Sequence, residues 1–148
     1  MQQDLDVPGG YRRTLSLPAL AKAALVAGAI DKALAYAKEG LGPGAGDGQS
    51  TFDCNMVLGK VALRSGDVAQ AAQYLVASGK SSGSPALSSF GPNMSLAKEF
   101  LEKGQSDAVL EFFALCKTFW TAHARTLDCW AQTVREGAVA DFGANLAY

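Results

Sequence analysis

Long apolar runs are missing from this chain. No stretch of about 18 apolar residues occurs, so a membrane-spanning helix is not expected. An excess of one charge is missing too: 13 Lys and Arg stand against 14 Asp and Glu, for a formal net charge of -1. That balance leaves no strong field to draw nucleic acid or a membrane surface. The basic pair Arg12–Arg13 is too small a footprint for nucleic acid. Cysteine is scarce. Cys54, Cys116 and Cys129 are odd in number and widely spaced, which excludes a disulfide framework and suits reduced thiols in the cytoplasm. The first 13 residues are polar and lack the apolar stretch of a secretory signal.

Catalytic signatures are also wanting. No HExxH pattern occurs. The glycine-rich stretch Gly42–Gly48 has no following Lys-Ser/Thr to cradle phosphate. Asp141-Phe142-Gly143 matches a kinase tripeptide by letters alone, in a chain too short for a kinase. Cys116 and His123 are seven residues apart and share a face if one helix carries both. With Cys129 nearby, that pair has the elements of a metal site or of a nucleophile and base. Zinc ligands normally come in closer pairs, however, and a fourth ligand is not evident. The expectation is a protein that is not an enzyme, with no metal and no cofactor.

What the sequence does have is a repeat. Three phrases end in glycine: Leu20 to Gly28, Leu58 to Gly66 and Leu96 to Gly104, at intervals of 38 residues. Other columns agree without a gap: Ala21, Gly59 and Ala97; Lys22, Lys60 and Lys98; Leu25, Leu63 and Leu101; Ala33, Ala71 and Val109; Tyr36, Tyr74 and Phe112. Leucines five apart with small residues between them mark a helix with one apolar face. The glycine ends that helix, since Gly enters the left-handed region cheaply. Asp31, Asp67 and Asp107 then suit the first turn of a second helix. One such hairpin cannot bury both faces of its helices; neighbours stacked on it can.

The sequence therefore predicts an all-α fold of three stacked antiparallel hairpins, about seven helices in all. Residues 1–14 read as an N-terminal tail, 15–137 as the repeat domain and 138–148 as a non-helical C-terminal tail. Helices are expected near 15–27, 30–40, 50–65, 68–79, 92–103, 106–121 and 126–136. The last, with Leu127, Trp130 and Val134 on one face, is expected to cover the open side of the third hairpin. Gly40–Gly48 and Gly79–Pro92 read as linkers. Phe90 in the second linker, and Phe142, Leu146 and Tyr148 in the tail, are expected to pack back onto the helices.

Leu58, Gly59, Ala62, Gly66, Asp67, Ala71 and Tyr74 fit the pattern of tetratricopeptide repeats best, and residues 15–122 resemble that family. The spacing exceeds the family's 34 or so residues. Leu17, Asn55 and Asn93 stand in the column of its first-helix Trp. The resemblance implies that the first helix of each hairpin lines a concave groove and that the lysine column faces it. Lys22, Lys60 and Lys98 would then meet a partner, flanked one turn earlier by Met56 and Met94 and one turn later by Arg64 and Glu102. Asp53, Asn55 and Asn93 would hydrogen-bond its backbone. The expected partner is a protein or an acidic peptide segment, with Met adapting to its side chains. The function that follows is a non-catalytic interaction scaffold of bacterial style, for which homodimerisation is compatible. The bland alternative for the lysines is a solvated helix surface. A competing function is a small-molecule-binding accessory protein, with Phe112, Phe113, Phe119, Trp120 and Trp130 lining a pocket near the last helices.

Overall fold

The computed structural model describes residues 10–42 and 48–146, with side chains from Leu17 onward. Eight α-helices make up the described chain: α1 Gly10–Val26, α2 Ile30–Gly40, α3 Gly48–Arg64, α4 Val68–Gly79, α5 Pro85–Phe90, α6 Ser95–Glu102, α7 Asp107–Cys116 and α8 Ala124–Arg135. Two 3-10 turns, Thr121–His123 and Gly143–Leu146, complete it. Among the described residues there is no strand, so the fold is all-helical. Residues 1–9 of the expected tail, 43–47 of the first linker, and Tyr148 lie outside the described residues.

The three repeat glycines all end or follow a helix with positive φ: 79° at Gly28, 92° at Gly66 and 76° at Gly104. Each leads into the next helix. Asp67 makes the entry explicit at α4, where its side chain accepts the Gln70 amide at 3.1 Å and so satisfies one of the donors a helix start leaves open. Helix α1 packs on α2 and α3, and α2 on α3. Helix α3 packs on α4 and α6, α4 on α7, and α7 on α6 and α8.

Small residues in the repeat columns set how closely these helices approach. A Cβ placed on Gly59 would stand 2.5 Å from Leu96 Cδ2 and 3.3 Å from Tyr74 Cβ, so α3 lies against α6 and α4 through the bare backbone. Ala21, Ala33 and Ala37 pack with Leu25, Val57 and Leu58 in one apolar cluster. A larger cluster joins Phe52, Phe100, Phe112, Phe113, Leu127 and Trp130. Tyr74 touches both clusters. Each fully buried phenylalanine stabilises by roughly 1.5–3 kcal/mol relative to an exposed one.

Several expected boundaries move. Helix α1 begins by Gly10 instead of residue 15 and runs through Pro18. The burial of Leu17 and Leu20 on either side favours keeping that turn helical despite the missing N–H. The second linker holds a helix that was not expected, which makes eight helices in place of seven. Ser84 caps α5: its hydroxyl accepts the Leu87 amide at 3.0 Å, and Pro85 follows at the first helical position. Helix α6 starts at Ser95, not Pro92, because Met94 donates its amide to the Asn145 carbonyl at 2.7 Å. Helix α7 stops at Cys116, five residues short of expectation.

The C-terminal segment is not free of helix, since Gly143–Leu146 forms a 3-10 turn. Ala140, Phe142 and Asn145 are buried. Phe142 packs against Trp130 with ring centroids 5.0 Å apart, and Trp130 Nε1 donates to the Asp141 carbonyl at 3.1 Å. Asn145 fastens the turn by donating from Nδ2 to the Phe90 and Pro92 carbonyls at 3.1 and 3.0 Å. Phe90 itself, expected to pack inward, is 58% exposed, because the segment is held by its backbone and by Leu87 instead.

Candidate functional site

The side-by-side placement of α1 and α3 brings two lysines of the repeat column to one cavity. It has a volume of about 200 Å³ and is lined by Lys22, Leu25 and Val26 from α1, Asp53, Met56, Val57 and Lys60 from α3, Asn93 and Ser95 at the start of α6, and Leu146 from the C-terminal turn. Five residues expected in a binding groove therefore meet here: Lys22, Asp53, Met56, Lys60 and Asn93. Leu25, Val57 and Leu146 were not anticipated. Leu25 belongs to the leucine column expected in the core, which it also touches, Val57 falls in no repeat column, and Leu146 is expected only to pack back onto the helices.

The polar groups of the cavity differ in what they have left to offer. Lys22 Nζ lies 3.2 Å from Asp53 Oδ1. The other oxygen of Asp53 accepts from Gln49 Nε2 at 3.1 Å, and Gln49 Oε1 accepts from the Ser84 hydroxyl at 2.6 Å. This chain of bonds ties α1 to α3 and α3 to α5. It also commits the Asp53 carboxylate, which was expected to serve a partner's backbone. Asn93 Oδ1 accepts the Ser95 amide at 2.8 Å and the Ser95 hydroxyl, and so organises the first turn of α6.

Lys60 is half-buried. Burial pushes its ammonium below the usual lysine value; Glu99 opposes that shift, and Arg64 and Lys22 add to it. Arg64 is engaged by a two-point bridge to Glu99, at 3.0 and 3.1 Å, which joins α3 to α6. Among the described residues that line the cavity, the charged ones are Lys22, Lys60 and Asp53. The cavity keeps one positive charge in surplus.

The remaining expected groove residues do not join it. Met94, expected beside the lysines, is 0% exposed, part of the core and absent from the cavity lining. Asn55 is buried and donates from Nδ2 to the Thr51 carbonyl one turn earlier, at 2.8 Å. Lys98, on α6, lies outside the cavity lining, and Glu102 is exposed at the end of that helix. α6 begins three residues later than expected, and its Leu96 packs onto Gly59.

Chemistry elsewhere is thin. Cys116 ends α7, so it shares no helix with His123; the imidazole instead stacks on Trp120 at 4.7 Å. Among the described residues no three His, Cys, Asp or Glu side chains cluster as a metal site. Burial raises the Cys116 thiol well above its usual value. Cys54 is pushed up to about 12 by burial first and Asp53 second, with Lys22 opposing. Neither is a thiolate nucleophile at neutral pH. Gly79-Lys80-Ser81-Ser82-Gly83 spells a serine-hydrolase pattern, GxSxG, by letters. Ser81 is buried, though, and its hydroxyl donates to the Gly48 carbonyl at 2.6 Å while accepting the Gly83 amide at 3.1 Å. It is a structural serine.

Phe112, Phe113, Phe119, Trp120 and Trp130 are each under 10% exposed and belong to the larger core cluster. A second, wider groove of about 460 Å³ runs between α4 and α7 past Ala72, Val76, Lys80 and Glu111. Among the described residues no helix is long and apolar enough to cross a membrane. No protein-family model, curated protein or solved structure matches the chain.

Proposed function

We propose that this chain is a non-catalytic interaction module, a tetratricopeptide-like stack that binds an acidic protein or peptide segment at the Lys22–Lys60 cavity. The observation that carries the reading is the convergence of two lysines from successive repeat units on one partly apolar cavity with a surplus positive charge. The positive-φ glycines at the three repeat positions support the stacked hairpins, as does the packing of each helix on its successor from α1 to α4. The partner's carboxylates would approach Lys60 first, because the Lys22 charge is already shared with Asp53. Apolar side chains beside them would settle on Met56, Val57 and Val26, the last 89% exposed at the rim.

The test is an array of acidic and basic peptides of matched hydropathy, probed with wild type, Lys60→Glu and Lys32→Glu. Lys32 is exposed on α2, away from the cavity. Acidic peptides should bind wild type and Lys32→Glu and lose Lys60→Glu. Equal binding by all three proteins, or a preference for basic peptides, would sink the reading.

A further inference from the structure

The same cavity is bounded in a way that a peptide groove alone does not require. Leu146 closes one side, brought there by the 3-10 turn that Asn145 fastens to the Phe90 and Pro92 carbonyls. Leu25, Val57 and Met56 form the floor and are all under 10% exposed. The polar side is narrow: the Lys60 ammonium, the Lys22–Asp53 pair, and the Asn93–Ser95 turn whose hydroxyl and amide are already engaged by Asn93. The cavity is therefore apolar over most of its wall, with two lysines and one carboxylate among its lining residues.

Size and charge together limit the occupant. About 200 Å³ is below the roughly 300–1,000 Å³ of pockets for drug-sized ligands and cofactors. At about 30 Å³ for each water in the liquid, it corresponds to roughly seven waters. One surplus positive charge matches one negative charge. A second would meet Asp53 with no further lining cation to offset it.

From this we infer that the cavity is a seat for one small aliphatic monocarboxylate, with its carboxylate at Lys60 and Lys22 and its chain running over Val57 and Met56 toward Leu146. The inference goes beyond the peptide reading and shares with it the two lysines. The Asn145-held turn has only to keep Leu146 in place.

Sodium hexanoate is the probe, titrated into the full chain and followed by amide and methyl chemical shifts. Saturable shifts are expected at Leu25, Met56, Val57 and Leu146. Hexan-1-ol, which has the chain without the charge, should bind about tenfold or more weakly, the worth of a charge-assisted hydrogen bond. Lys60→Gln should lose a similar factor, and Lys60→Arg should keep most of the affinity. Equal binding of hexanoate and hexan-1-ol, shifts that do not saturate, or shifts confined to other helices would overturn the assignment. If hexanoate fails while acidic peptides still bind through Lys60, the small-ligand seat falls and the peptide reading survives. If hexanoate binds and no peptide does, the reverse holds.

Discussion

Replacing Asn145 with alanine should release the C-terminal turn from the rest of the fold. The side chain is 8% exposed and donates two hydrogen bonds, to the carbonyls of Phe90 and Pro92. Those two acceptors also fix which way the amide points, since only its nitrogen can donate. After truncation the Phe90 carbonyl, on an exposed residue, can turn to water. The Pro92 carbonyl is buried and is left without its donor, at a cost of about 1–3 kcal/mol. With the lost packing of a buried side chain, the expected destabilisation is about 2–3 kcal/mol. In a chain of this length that lowers Tm by roughly 6–9 °C. Urea denaturation should show a lower midpoint with an unchanged slope. Asn145→Asp should cost more near neutral pH, because a carboxylate would face two carbonyl oxygens, and its penalty should shrink in acid as the carboxyl gains a proton to donate. An Asn145→Ala protein within about 0.5 kcal/mol of wild type would refute the idea that this residue holds the turn.

The other predictions test separate parts of the structure. With a thiol reagent at mildly alkaline pH, only exposed Cys129 should react in the native protein, and buried Cys54 and Cys116 should join it after denaturation; rapid native labelling of Cys54 would contradict its raised pKa. Lys60→Met should raise Tm at neutral pH by removing a half-buried ammonium. Because the folded pKa of Lys60 lies below the unfolded value of 10.5, the unfolded chain binds more protons between the two, and stability from this residue rises with pH through that window. The advantage of Lys60→Met should therefore narrow as the pH approaches 10.5, and an advantage that widened would contradict the assignment. Gly48→Ala should destabilise by about 3 kcal/mol or more, since its Cβ would stand 2.1 Å from the Gly83 carbonyl oxygen; a denaturation midpoint equal to that of wild type would show that the α3 start and the Gly83 loop do not touch.

The parts of the fold that were legible in the sequence are those encoded locally. Gly28, Gly66 and Gly104 announce helix ends because a positive φ is a property of one residue, and leucine spacing announces the buried face of each helix. Helix α5 was legible in principle, as Ser84 followed by Pro85 is a helix-start signal, but the surrounding serines and glycines masked it. The start of α6 was not legible, because it is fixed by a hydrogen bond from Met94 to Asn145, far along the chain. The same holds for the site. Lys22 and Lys60 share a column, and the packing of α1 on α3 turns that column into proximity. Lys98 shares the column too, yet it is not among the residues that line the cavity. Leu146 reaches the cavity through tertiary contacts of the C-terminal turn, for which no periodic pattern exists.

The most direct test of the binding account is to map where an acidic peptide from the array touches the protein, by amide chemical shifts on the full chain. The account predicts shifts centred on Lys22, Met56, Val57, Lys60 and Asn93, abolished by Lys60→Glu. Shifts centred instead on Ala72, Val76 and Lys80, along the groove between α4 and α7 and unaffected by Lys60→Glu, would contradict it.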